Sequence, residues 1–286
     1  MFIFSSKHFQ VLLLYGALLA NTSCNHVFYQ PHSNIYATPK NINLTFEEVP
    51  VQSSEGVILK VWKIPAVNPP KKRTAIIQFH GNAENRSTHF LSVAWLAGQG
   101  VDVITFDYRG YDGSTGSPSR SGLIDDGVAV LRWFEQEYVN SRRFVIGQSL
   151  GGAVAVTALA KSDVKIDGLV LESTFASYRG VARSILSRYW ILWPFQWLPW
   201  ILLSGDEDPE DYIKGLKIPI LAFHDRDDRV VPYEAGLRLY RKIPAEQLTM
   251  RSLDGNQHIR AFATERDEEL RALMKFLDVP VRQDNE

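Results

Sequence analysis

The spacing of apolar residues changes character three times along the chain. Residues 9–20, "FQVLLLYGALLA", form a largely apolar, uncharged run. From residue 57 onward, short apolar runs alternate with amphipathic stretches. "VILKVWKI" (57–64) has the period of two that a strand shows, and "TAIIQFH" (74–80) is the continuous run of a parallel strand buried on both faces. "VDVITFDYRG" (101–110), "RFVIGQS" (143–149), "DGLVLEST" (167–174), "IPILAFHD" (218–225) and "EQLTMRSL" (246–253) read as further strands. Helical spacing predicts helices over 84–98, 121–139 (with Ser121 as N-cap), 150–160 and 259–277. The third pattern is 189–203, "YWILWPFQWLPWILL", which has four tryptophans and no charge.

Strand and helix alternating from 74 to 277 predict the α/β class: a mostly parallel, twisted sheet with helices on both faces. In such sheets ligands bind beyond the carboxyl ends of the strands. The residues standing there are His80-Gly81-Asn82, Asp107-Tyr108-Arg109, Ser149, Glu172-Ser173, Asp225 to Asp228, and His258.

Bulk properties narrow the function by exclusion. The 286 residues suffice for a substantial core, and 45% hydrophobic with 22% charged residues is ordinary for a globular protein. A net charge of -1, with no basic run longer than Lys71-Lys72-Arg73, gives no nucleic-acid signature. There is no internal repeat, no phosphate-binding glycine loop and no His-Glu-x-x-His zinc pair. No metal or organic cofactor is expected.

The apolar run at 9–20 follows Lys7 and His8 and is too short to span a hydrocarbon layer of about 30 Å. It fits the apolar region of a secretory signal, and the chain's one cysteine, Cys24, follows in "NTSC". A cysteine there resembles the lipid-attachment site of bacterial lipoproteins, although Asn21 stands where that pattern usually has Leu. The resemblance implies cleavage after residue 23, lipidation of Cys24 and a mature protein held on a bacterial envelope membrane. An ordinary signal or an uncleaved anchor is the alternative. The expected organisation is therefore a signal (1–23), a polar tether (24–45), a catalytic-type domain (46–280) and a short tail (281–286).

The most specific motif is Gly147-Gln148-Ser149-Leu150-Gly151, a Gly-x-Ser-x-Gly between a predicted strand and a predicted helix. A serine on that sharp turn presents its hydroxyl above the sheet, where only glycines fit around it. The backbone N–H of Leu150 then faces a developing oxyanion. The alternative is a helix-capping serine in a glycine-rich turn. A serine nucleophile needs a histidine base and a carboxylate that orients it, in the chain order Ser, acid, His. His258 fits that order, whereas His224 precedes the acids. Asp225, Asp227 and Asp228 compete for the acid's role, the bland reading being a solvated loop paired with Arg226 and Arg229.

Residues 46 to 277 resemble the α/β-hydrolase superfamily, through "FHGNAEN" (79–85), "FDYRGYDGSTG" (106–116), "GQSLGG" and "HDRDDRVVP" in the family's order. The resemblance implies that Asp228, which stands before x-x-Val-Pro, is the acid, with Asp225 where the family has glycine. It implies a second oxyanion donor at the backbone of Asn82, a structural role for His80, Asp107 and Arg109, and a glycine position filled by Asp112. It also implies a cap at about 175–215, which contains the aromatic stretch. Pro194 and Pro199 argue against a spanning helix. Trp190, Trp193, Phe195, Trp197 and Trp200 are candidates for a lid that lines an acyl pocket and touches lipid, with packing over the sheet edge or a partner surface as alternatives. The implied function is a monomeric serine hydrolase of carboxylic esters, acting on a small ester or acylated substrate. A peptidase or amidase, with Glu172 or Glu207 as amine anchor, and a non-catalytic binding module remain open.

Overall fold

The computed structural model describes residues 29–187, 190–255, 257–262 and 266–281. Cys24 and the apolar run before it lie outside the described residues. The strands are β1 (Gln30–Pro31), β2 (Glu47–Gln52), β3 (Ile58–Ile64), β4 (Thr74–Phe79), β5 (Ala83–Glu84), β6 (Val101–Phe106), β7 (Arg142–Gln148), β8 (Gly168–Glu172), β9 (Ile220–Asp225) and β10 (Leu248–Leu253). Eight of them form the main sheet in the order β10-β9-β8-β7-β4-β6-β3-β2. All neighbours run parallel except the pairs β2–β3 and β3–β6. The topology reverses beside β4, which sits between β6 and β7, and this opens the crevice where parallel sheets bind ligands.

Both faces of the central strands are buried, because their side chains alternate between two cores. Ala75, Ile77 and Phe79 of β4 pack with Leu123, Val130 and Phe134 of α2 (Arg120–Glu137) and Val154 of α3 (Leu150–Lys161). Ile76 faces the other side, among Phe90, Val93, Leu273 and Met274. The last two come from the C-terminal helix, Asp267–Phe276.

The seven expected strands all form. The helix predicted over 84–98 does not. It gives one α-turn, α1 (Arg86–His89), and then 3-10 turns at Phe90–Ser92 and Ala94–Ala97. The carbonyl of His89 accepts from Gln78 Nε2 (2.9 Å) and from the Ser92 hydroxyl (2.9 Å), bonds that compete with the helical ladder. Edge strand β2 was not anticipated, since Pro50 argues against a central strand and only an edge tolerates it. The segment read as a tether packs on the domain from Tyr29 onward, which is only 3% exposed.

Tight backbone contact sets the centre of the sheet. A Cβ at Gly151 would lie 2.1 Å from the Phe79 carbonyl oxygen, so the start of α3 rests directly on the end of β4. Gly151→Ala is therefore expected to cost about 3 kcal/mol or more, read as a lowered urea midpoint. A midpoint unchanged from the parent would show that this contact does not constrain the fold.

Candidate active site

Ser149 stands between β7 and α3 at φ 53 and ψ -120, a conformation L-residues rarely hold. Neighbouring backbone over-determines it. Its N–H donates to the Glu172 carbonyl (2.9 Å), and its carbonyl accepts from Gly152 N–H (3.1 Å) and the Thr174 hydroxyl (2.9 Å). The turn is tight as well: a Cβ at Gly147 would fall 2.7 Å from Gly152 Cα. Two other loops converge on Ser149. A Cβ at Gly81 would be 3.7 Å from Ser149 Cβ and 3.4 Å from Ile259 Cδ1, so the loop after β4 and the loop carrying His258 meet there.

The structure brings His258 and Asp228 together. His258 Nδ1 lies 2.8 Å from Asp228 Oδ2, while Asp228 Oδ1 accepts from the N–H groups of Val230 (2.8 Å) and Val231 (2.9 Å). Burial pushes the Asp228 carboxyl up, but the His258 hydrogen bond and charge and the two backbone donors outweigh it, so its pKa is lowered. With Nδ1 engaged by a carboxylate, Nε2 is the nitrogen left for proton transfer. Asp227 is exposed. Asp225, in the family's glycine position, is buried and accepts from Asp227 N–H (2.9 Å) and Gln257 N–H (3.3 Å). It thus ties the β9 loop to the residue before His258. Ile259, next after His258, has φ 54, a strained conformation for a β-branched residue. His224 is fully buried against the Val231 carbonyl (3.0 Å), and burial lowers its pKa.

Sequence reading missed a buried polar chain beneath the site. Gln78 Nε2 donates to Gln148 Oε1 (2.7 Å), and Gln148 Nε2 donates to Glu172 Oε2 (2.6 Å). Glu172 Oε1 accepts from Ala261 N–H (2.6 Å). The chain joins β4, β7 and β8 to the loop that carries His258. The signal was present in the sequence as three polar residues at the ends of buried strands. Burial raises the Glu172 pKa, opposed by the Gln148 and Ala261 hydrogen bonds and the charges of His258 and Arg266. Glu172 is buried, and its carboxylate is engaged by Gln148 and Ala261. Glu207 instead pairs with Lys161 Nζ at 2.5 Å.

In the loop after β4, the Tyr111 hydroxyl donates to the Asn82 carbonyl (3.0 Å). His80 Nδ1 donates to the Gly81 carbonyl (2.7 Å), and Asp107 is bound by Arg86 Nη1 at 2.5 Å. Arg109 forks onto Asp126, 2.9 Å at its closest from Nη2. His80, Asp107 and Arg109 are all buried and engaged by these bonds. Asp112 adopts φ 24, close to the conformation the glycine it replaces would take freely.

The cap contains α4 (Tyr178–Ser187), a 3-10 turn at Trp190–Phe195, α5 (Leu198–Leu202) and α6 (Pro209–Tyr212). Its aromatics face outward: Trp190 is 86% exposed, Trp193 65%, Trp197 54%, Trp200 48% and Phe195 45%. Trp200 lines a cavity of about 620 Å³, with Arg179, Arg183, Asp208, Glu210 and Arg238 in its walls. That cavity is mixed in charge and does not include Ser149, so the expected apolar acyl pocket is not formed by these aromatics in this conformation. Among the described residues no helix is long and apolar enough to cross a membrane.

The direction of the Glu172 shift gives a pH test. A carboxyl whose folded pKa is raised costs stability once pH passes above its unfolded value, and the cost reaches its full size above the folded value. Glu172→Gln removes that titration, so the stability of the variant relative to the parent should rise between pH 4 and pH 7 in urea unfolding. A difference constant with pH would mean that Glu172 keeps an ordinary pKa.

Comparison with known proteins agrees with this geometry. Residues 70–214 match the family model described as serine aminopeptidase, S33. The uncharacterized protein YfhR of Escherichia coli K12 is 33% identical over 246 residues, covering 82% of this chain and 80% of that protein. The lysophosphatidylserine lipase ABHD12 of Xenopus tropicalis is 34% identical over 184 residues, 60% of this chain and 48% of that one. Among solved structures, the Pyrococcus furiosus esterase Pf2001 superposes with a TM-score of 0.71 at 23% identity, covering 88% of this chain and 97% of its own. The nucleophile-type turn, the sheet order and these likenesses agree: the chain is an α/β-hydrolase and belongs to the serine aminopeptidase S33 family.

Proposed function

We propose that this protein is a membrane-attached serine hydrolase that cleaves carboxylic esters through an acyl-enzyme. The observation that carries the reading is the 2.8 Å contact of Asp228 with His258, on a loop that meets Gly81 and Ser149. Ser149 Oγ attacks the ester carbonyl carbon while His258 Nε2 takes its proton. The tetrahedral oxyanion lies against the backbone N–H groups of Leu150 and Asn82. Its collapse breaks the carbon–oxygen bond, and the proton on His258 goes to the departing alcohol. Water, deprotonated by the same nitrogen, then attacks the acyl-enzyme and releases the acid and Ser149. Asp228, held as a carboxylate, stabilises the imidazolium in both halves.

Ester rather than amide cleavage is favoured because the two candidate amine anchors are already engaged, Glu172 within the core and Glu207 with Lys161. The exposed aromatic cap and the apolar run before Cys24 support an amphiphilic substrate met at a lipid surface. A monoacyl glyceride or lysophospholipid fits that chemistry, and the name of the similar lysophosphatidylserine lipase supports the same class. In this reading Cys24 carries the lipid, and the cap aromatics rest at the bilayer interface, where Trp is favoured.

Fluorophosphonate treatment of the full chain should place one adduct on Ser149. Asp228→Asn should lower kcat on an aryl ester by about 10³- to 10⁴-fold, while the exposed-residue control Asp227→Asn stays near the parent. An unlabelled Ser149, or equal effects of the two substitutions, would overturn the assignment. In vesicles of phosphatidylethanolamine and phosphatidylglycerol with brominated acyl chains, tryptophan fluorescence should be quenched, and Trp190→Phe with Trp193→Phe should remove much of that quenching. Unquenched fluorescence from vesicle-bound protein would refute the lipid contact.

A further inference from the structure

The loop that follows β4 is not held by the main sheet alone. Its residues Ala83 and Glu84 form β5, which pairs in parallel with β1 from the segment just after the N-terminal apolar region. Glu84 sits at φ 65, a left-handed conformation that needs external support in a non-glycine residue. Gln30 N–H donates to Asn82 Oδ1 (3.3 Å), Asp112 N–H donates to the His32 carbonyl (3.3 Å), and Tyr36 N–H donates to Ser87 Oγ (2.9 Å).

The central link is Asn85, whose side chain is fully buried. Its Oδ1 caps α1, accepting from Ser87 N–H (2.9 Å) and the Ser87 hydroxyl (2.6 Å). Its Nδ2 spends both hydrogens on the N-terminal segment, donating to the carbonyls of His32 (2.9 Å) and Asn34 (2.8 Å). A buried primary amide that uses every donor and acceptor fixes its partners' positions, because any withdrawal leaves an unpaired polar group out of water. A second link leads to the cap. The buried Tyr29 hydroxyl is hydrogen-bonded with Arg120. Arg120 Nη1 donates to the carbonyls of Ser204 (2.8 Å) and Asp206 (2.7 Å), and its guanidinium lies 4.0 Å from the Tyr178 ring.

We propose that residues 29–36 are a strap that holds the loop bearing Asn82 in its working position over Ser149, with Asn85 as the positioning residue. The proposal rests on the hydrolase reading given above, in which that loop supplies an oxyanion donor. The strap contributes no reacting atom. It fixes where the Asn82 backbone stands, and through Arg120 it fixes the base of the cap to the same corner.

The test uses the full-length chain in detergent micelles. Asn85→Asp keeps the acceptors that cap α1 and removes both donors to the strap. Gln30→Pro, at an exposed position, removes the N–H that reaches Asn82 Oδ1 and the Tyr111 hydroxyl, which itself holds the Asn82 carbonyl. For aryl ester hydrolysis, Asn85→Asp should lower kcat by roughly 10- to 100-fold with KM within about threefold. Gln30→Pro should lower kcat by a smaller factor in the same pattern. The rate of fluorophosphonate labelling at Ser149 should fall in parallel, and the melting temperature of Gln30→Pro should match the parent. Loss of the transition-state contact alone produces this split between kcat and KM, which a general loosening of the fold does not. Both variants retaining kcat within twofold of an active parent would overturn the strap while leaving the hydrolase reading intact. A parent that neither turns over esters nor labels at Ser149 would overturn the hydrolase reading and the strap with it.

Discussion

The rest of the molecule depends on how closely the start of α3 approaches the end of β4. Gly151 has no Cβ because the Phe79 and His80 carbonyls occupy that space, and Gly147 has none because Gly152 does. This packing lets the chain turn sharply enough to leave Ser149 at a positive φ, at the N-terminus of α3. A side chain at either glycine would push α3 away from β4. Ser149 would then move relative to His258 and Asp228. The strain at Ser149 is offset by its N–H donating to the Glu172 carbonyl and its carbonyl accepting from Gly152 and Thr174, which makes the turn a property of the whole sheet centre and not of five residues.

The remaining site residues are positioned from below and from the side by buried polar groups. Glu172 and Asp225 each accept a backbone N–H from the stretch around His258, from Ala261 and Gln257 respectively. Two acids thus grip the loop of His258 on either side of the histidine, and Asp228 holds its ring. The cost is the burial of several acids, visible in the raised pKa of Glu172. The return is that His258 is held beside Asp228 and near Ser149 despite the strained Ile259. Asn85 does the same work on the opposite side, fastening the loop after β4 to the N-terminal strap.

The outer parts follow a different logic. The cap turns its tryptophans to the outside, where they are compatible with a lipid interface, and its inner cavity is lined by mixed charges. The strap and the cap meet at Arg120, so the N-terminal end of the described chain, the cap and the mouth of the site occupy one region. Attachment to a membrane at the N-terminus would place that region, and not the far edge of the sheet, nearest the lipid.

The sequence by itself determined the class of fold, the seven main strands and the glycine-flanked turn at Ser149. These are legible because they rest on local periodicity and on glycine positions that no other residue can fill. Asp228 emerged from three neighbouring acids only by its resemblance to a family pattern. The tertiary structure supplied the physical reason: Asp228 alone of the three turns inward to His258, while Asp225 turns to Gln257 and Asp227 to solvent. The Gln78–Gln148–Glu172 chain, the strap and the outward face of the cap were beyond sequence reading. Each depends on which residues, dozens of positions apart, are brought within hydrogen-bond distance or left uncovered. Gln78 and Gln148 are 70 residues apart, and Asn85 and His32 are 53 apart. No local pattern records such pairings, because they are decided by strand order, by the reversal beside β4 and by where the buried polar groups find partners.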